Sequence, residues 1–194
     1  PSPAGGQDVY VLEDGSRVGP ALSQEPLEGD DDVHMGIQTH FTGQVLWQTR
    51  LEREVGLVQG GDVDGDGQVE LVALGASGEL VLLDNAGQQV WRTQAISPEM
   101  IPDEWLPGQL VVYDLAGDGP MEIIIATSGP TAAVHVFDGA GRAVWQHALE
   151  SVSSPVRLKA GDLNGDGPAE LLVTTVGQAQ VYQLSAAGHR LAEY

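Results

Sequence analysis

The sequence repeats itself. Three stretches follow one plan: Gly60 to Gln94, Val112 to Leu149 and Ala160 to Tyr194. Asp62, Asp114 and Asp162 hold equivalent positions, 52 and 48 residues apart. A period near 50 marks a supersecondary unit that cannot bury its own apolar surface and must stack on copies of itself. Nothing else in the chain restricts the fold as strongly.

Each copy has the same internal order. An apolar lead-in, such as Gly56-Leu57-Val58, precedes a loop rich in Asp and Gly. A nearly continuous apolar run follows: Val69 to Leu74, Met121 to Ala126, Leu171 to Val176. A second run, such as Leu80 to Leu83, leads to a glycine turn: Asn85-Ala86-Gly87, Gly139-Ala140-Gly141 or Ala186-Ala187-Gly188. The last segment carries Trp91 in the first copy and Trp145 in the second, with Ala192 at that place in the third. These runs are too short for ordinary helices and rich in β-branched residues, so each copy reads as four strands joined by hairpins. The second strand is apolar on both faces, so both faces are buried. The expected fold is all-β: a β-propeller built from four-stranded antiparallel blades.

The first 55 residues read as a degenerate copy. Residues 43–49 match Gly87 to Thr93, which places Trp47 on a last strand. Val9 to Leu12 and Arg17 to Leu22 suggest a hairpin, and no Asp-Gly loop is present. The expected units are about 8–51, 56–94, 108–149 and 156–194, together forming one propeller or part of one, with residues 1–7 as linker. Ser23 to Asp32, rich in acid and proline, reads as a solvated loop. Ala95 to Gly108, with Pro98, Pro102 and Pro107, reads as a long connection whose Trp105 caps one end of the core.

The loops carry the chemistry. In the first, Asp62, Asp64, Asp66 and Glu70 occupy positions 1, 3, 5 and 9. Calcium takes 6 to 8 oxygen ligands at about 2.3–2.6 Å. Alternate residues of a tight loop can aim carboxylates inward, while Gly65 and Gly67 relieve the turn of Cβ clashes. The carbonyl of Gln68 completes this set. The third loop offers Asp162, Asn164, Asp166, the carbonyl of Pro168, and Glu170. The second offers Asp114, Asp118, the carbonyl of Pro120, and Glu122. Its Ala116 occupies position 3 and has no side-chain oxygen, so that site is expected to be weaker. Plain Asp-Gly turns would not require acid at positions 1, 5 and 9 in all three copies. An EF-hand is excluded, because position 12 is Ala73, Ile125 or Val173 and the flanks are strands.

These loops resemble those of FG-GAP and VCBS repeats, over about residues 56–194. The resemblance implies integrin-α-like propeller blades with calcium loops between first and second strands. Family propellers often have seven blades and this chain has material for about four. It is therefore expected to be part of a larger protein or complex. The segment Gly43 to Thr49 also resembles the tryptophan-bearing repeats of quinoprotein-like propellers, without their cofactor residues.

Charge narrows the partners. The chain has 28 acidic and 8 basic residues, a net charge of −20, and Lys159 is the only lysine. Such a chain repels nucleic acid and anionic lipid and suits cations or a basic partner. No apolar run approaches the ~20 residues that span a membrane, so no direct insertion is expected. With no cysteine, disulfides, thiolate metal sites and cysteine nucleophiles are excluded. No nucleophile elbow and no phosphate-binding glycine loop is visible. His34, His40, His135, His147 and His189 are scattered without zinc spacing. The expectation is a non-enzymatic, extracytoplasmic module that binds calcium and a protein or carbohydrate. The alternative is an accessory subunit or domain of an extracytoplasmic enzyme complex.

Overall fold

Alternate residues of a strand point to opposite faces, and in this protein the two faces belong to different cores. In β5 (Glu70–Gly75), Leu71 and Ala73 join Val81, Leu83, Leu51 and Val55 on one side. Val72 and Leu74 join Leu80, Leu82, Ile123 and Ile125 on the other. In β9 (Glu122–Ala126), Ile123 and Ile125 likewise face backward, while Ile124 and Ala126 face forward. The second and third sheets are thus packed on both faces, as stacked blades require. The structure is a computed structural model that describes residues 8–12, 19–20, 45–52, 54–97, 109–129, 131–149, 156–175 and 181–193.

Three sheets are four-stranded and antiparallel. The second blade contains β4 (Val55–Gly61), β5, β6 (Glu79–Leu83) and β7 (Gln89–Gln94) in that spatial order. The third contains β8 (Gln109–Tyr113), β9, β10 (Ala133–Phe137) and β11 (Ala143–Ala148). The fourth contains β12 (Val156–Gly161), β13 (Glu170–Thr175), β14 (Val181–Leu184) and β15 (Arg190–Glu193). The inner strands stand side by side, with β8 between β4 and β12. This is β-propeller architecture, as the repeat implied.

Among the described residues, the first unit is a three-stranded sheet of β1 (Asp8–Leu12), β2 (Gly19–Pro20) and β3 (Val45–Arg50), ordered β2-β1-β3. Val11 is opposite Trp47, with a bulge between Val11 and Leu12. The same bulge lies beside Leu82 opposite Trp91, Val136 opposite Trp145, and Gln183 opposite Ala192. By register, β1 therefore stands in the third-strand place and β3 in the fourth. Of the Arg17 to Leu22 segment, the described residues Gly19–Pro20 are strand. The linker 1–7, Ser23 to Asp32, His34, His40 and residues 98–108 of the proline-rich connection, Trp105 among them, lie outside the described residues.

Successive blades are latched by tryptophan. The indole N–H groups of Trp47, Trp91 and Trp145 donate to the carbonyls of Asn85, Gly139 and Ala186, at 2.9, 3.0 and 2.8 Å. Each acceptor lies in the glycine turn of the next blade. Each ring also covers that turn's last glycine, Gly87, Gly141 or Gly188, which has positive φ. A Cβ at Gly87 or Gly188 would collide with the ring and one at Gly141 would press against it, so glycine suits both the turn and the close approach. Ala192 ends the series.

Candidate metal centre

The loops run between first and second strands: residues 62–69, 114–121 and 162–169. The aspartate at position 1 shapes each turn. Asp62 accepts from the N–H groups of Gly65 and Gly67 at 2.8 and 3.0 Å. Asp114 accepts from Gly117, Asp118 and Gly119, and Asp162 from Gly165, Asp166 and Gly167. The glutamate at position 9 reaches back from the following strand. Oε2 of Glu70, Glu122 and Glu170 accepts from Val63, Leu115 and Leu163, at 2.9, 2.8 and 2.8 Å. Positions 1 and 9 thus support the backbone in all three loops, with glutamate Oε1 free of this duty.

Position 3 separates the loops. In the first, Asp62, Asp64 and Glu70 each bring a carboxylate oxygen to within 4.8 Å of the others. Two oxygens bound to one calcium at about 2.4 Å lie no more than about 4.8 Å apart, so the trio fits a shared hard cation. Asp66 lies outside the trio, accepting from the backbone and side-chain N–H groups of Gln68 at 2.8 and 2.9 Å. Gln68 Oε1 is also bonded by Asn85 Nδ2, a contact from the next turn that the sequence did not announce. Burial raises the pKa of Glu70; the Val63 N–H opposes this, and the charges of Asp64 and Asp66 add to it. A cation would relieve that repulsion.

Among the described residues, no such trio forms in the other loops. In the second, Ala116 leaves Asp114, Asp118 and Glu122 without a carboxylate between them. Burial raises the pKa of Glu122 as well, against the Leu115 N–H. In the third, Asn164 Nδ2 donates to Asp166 and Glu170 at 3.0 and 2.8 Å, and Asn164 Oδ1 accepts from the Asp166 N–H at 2.7 Å. The asparagine amide there holds the two carboxylates that Asp64 would repel. Pro120 and Pro168 are exposed, and Pro120 lies against Gly65 of the preceding loop.

The loops are also chained together. The Met121 N–H donates to the Asp62 carbonyl at 3.1 Å, and the Ala169 N–H to the Leu115 carbonyl at 3.0 Å. Each bond ties one loop to its neighbour.

A family model described as FG-GAP-like repeat matches residues 62–125 and 114–173, covering all three loops. No curated protein matches the sequence. Among solved structures, the Dos1 propeller is 14% identical, with a TM-score of 0.55, and covers 78% of this chain and 40% of its own. BBS1N in complex with ARL6DN, soaked with mercury, is 13% identical with a TM-score of 0.51, covering 72% and 39%. BamB from Moraxella catarrhalis is 19% identical with a TM-score of 0.50, covering 77% and 40%. The chain thus spans about two fifths of the length of these structures.

Proposed function

The chain belongs to the FG-GAP-like repeat family, and from that premise we propose that it is a calcium-binding, non-enzymatic scaffold that holds a protein partner outside the cytoplasm. The observation that carries this reading is the convergence of Asp62, Asp64 and Glu70. Calcium at the first loop would replace repulsion between carboxylates with shared coordination. Through the Met121 to Asp62 bond it would stiffen the second loop too. Magnesium suits the trio less, because it keeps several of its waters.

Extracytoplasmic calcium suits such a site, since extracellular modules bind it at about 10⁻⁴–10⁻³ M. The protein-partner reading draws on the fold and on BBS1N, whose structure is a complex with ARL6DN. Calorimetric titration of calcium into the chelator-treated protein tests the reading. The first loop should bind, and excess magnesium should not displace the ion. Absence of calcium binding would contradict it.

A further inference from the structure

Histidine is the side chain whose ordinary pKa lies closest to neutrality, and among the described residues His135 is the buried one. It sits in the middle of β10, opposite Ile125 of β9 and Gln146 of β11. Ile125, and Phe137 two places along β10, pack with Leu80 and Leu82 of the second blade. Residues two apart on a strand share a face, so His135 lies in the seam between the second and third blades. His147 faces the other way, opposite Val134 and toward the fourth blade.

Register shows what the fold asks of this place. Leu82, Val136 and Gln183 each stand beside the same bulge, so Val81, His135 and Tyr182 are equivalent. Val81 is 7% exposed and Tyr182 1%, each within an apolar core. His135 is 8% exposed. The third blade thus carries an ionisable ring where its neighbours carry Val and Tyr. Nothing facing that ring would hold a positive charge. On its own sheet the same face presents Leu110, Ile123, Ile125, Phe137 and Gln146. Across the seam the second blade presents Leu57, Val72, Leu80, Leu82, Trp91 and Thr93. No titratable or charged side chain is among these described residues. Burial accordingly holds the His135 pKa below its ordinary value.

We propose that His135 makes this seam acid-sensitive: the neutral imidazole closes it, and protonation loosens the third blade from the second. An imidazolium there would give up most of its hydration and meet no counter-charge. Opening the seam returns the ring to water and removes that cost. The direction in pH follows. The contribution of His135 to stability is full above its unfolded pKa of about 6.5 and is lost as pH falls through the lower folded value. Burial moves Glu70 and Glu122 the opposite way, so their contribution grows in acid. Variants at position 135 leave those two carboxylates in place, and their effect cancels in the comparison with wild type.

The test follows urea unfolding of the 194-residue chain from neutral to acid pH, beside His135→Tyr and His135→Val. These install the residues that the fourth and second blades use at the same place. As pH falls below about 6.5, the unfolding constant of wild type should rise relative to both variants. The rise should reach at most about tenfold per pH unit, the limit for one linked proton. In the wild type, the assigned His135 imidazole should titrate below about 6.5 by proton NMR. Hydrogen exchange, corrected for its intrinsic pH dependence, should show β9 and β10 losing protection in acid before β13 and β14. Parallel pH profiles for wild type and variants would overturn the proposal. So would a His135 pKa at or above about 6.5, or protection lost evenly from all blades. Should a variant fail to fold, the titration and the exchange pattern of the wild type still decide.

Discussion

The first and second Asp-Gly loops share their backbone and differ in what they can hold. In both, the position 1 aspartate gathers turn N–H groups and the position 9 glutamate bonds the residue after that aspartate. Only the first brings three carboxylates together, because Asp64 stands where the second has Ala116. The lesson is that loop shape and carboxylate clustering are largely distinct: positions 1 and 9 hold the backbone in both loops, and position 3 adds the third carboxylate in the first, where Asp64 also accepts from the Asp66 N–H at 3.0 Å.

The largest expected effect comes from removing both roles at once. Glu70→Ala should lose the ion and the bond to the Val63 N–H, costing about 2–3 kcal/mol even in chelator. Urea unfolding with and without calcium checks this. Asp64→Ala should weaken calcium by roughly tenfold or more and cost less in chelator than Glu70→Ala, because the bond it loses, from the Asp66 N–H, is exposed. If that variant is as destabilised in chelator as Glu70→Ala, shape and binding are not separable. The reverse change, Ala116→Asp, should bring the second loop toward the first, with a measurable gain in calcium affinity by titration.

A smaller effect concerns pH. Burial raises the folded-state pKa of Glu70 and Glu122 above the ordinary carboxylate value. Their contribution to stability is therefore full below the unfolded pKa of about 4.5 and is lost as pH rises through the folded value. In chelator, stability should fall across that window. Calcium should reduce the fall in the first loop more than in the second, so Glu70→Gln should abolish most of the calcium-dependent part. A pH profile of the melting temperature that is identical with and without calcium would remove the distinction.

Much of this was legible in the sequence, because it depends on local pattern. The apolar runs marked the strands, and the Asp-Gly spacing located the loops. Ala116 marked a loop that gathers no carboxylate trio among the described residues, and residues 43–49 placed Trp47 on a last strand. What escaped was non-local. The β2-β1-β3 order depends on which strand β1 meets after a long excursion, and no short-range signal encodes that. The partners of Trp47, Trp91 and Trp145 lie in the next blade, so Gly87, Gly141 and Gly188 read only as turn residues. Asn164, expected to offer a neutral oxygen, also turns its amide nitrogen toward Asp166 and Glu170, which its residue type alone did not announce. A residue name fixes the available groups, and the folded loop decides which of them points inward.

The central claim is that the folded first loop, and not the unfolded chain, gathers a calcium site. Thermal melts in calcium and in chelator test it most directly, because an ion that binds only the folded state must stabilise it. At calcium about 100 times the dissociation constant, linkage gives about 2.7 kcal/mol. For a chain of this size that is a rise of roughly 5–10 °C in melting temperature, and Asp64→Ala should lose most of it. A wild-type melting temperature that is the same in calcium and in chelator would contradict the account.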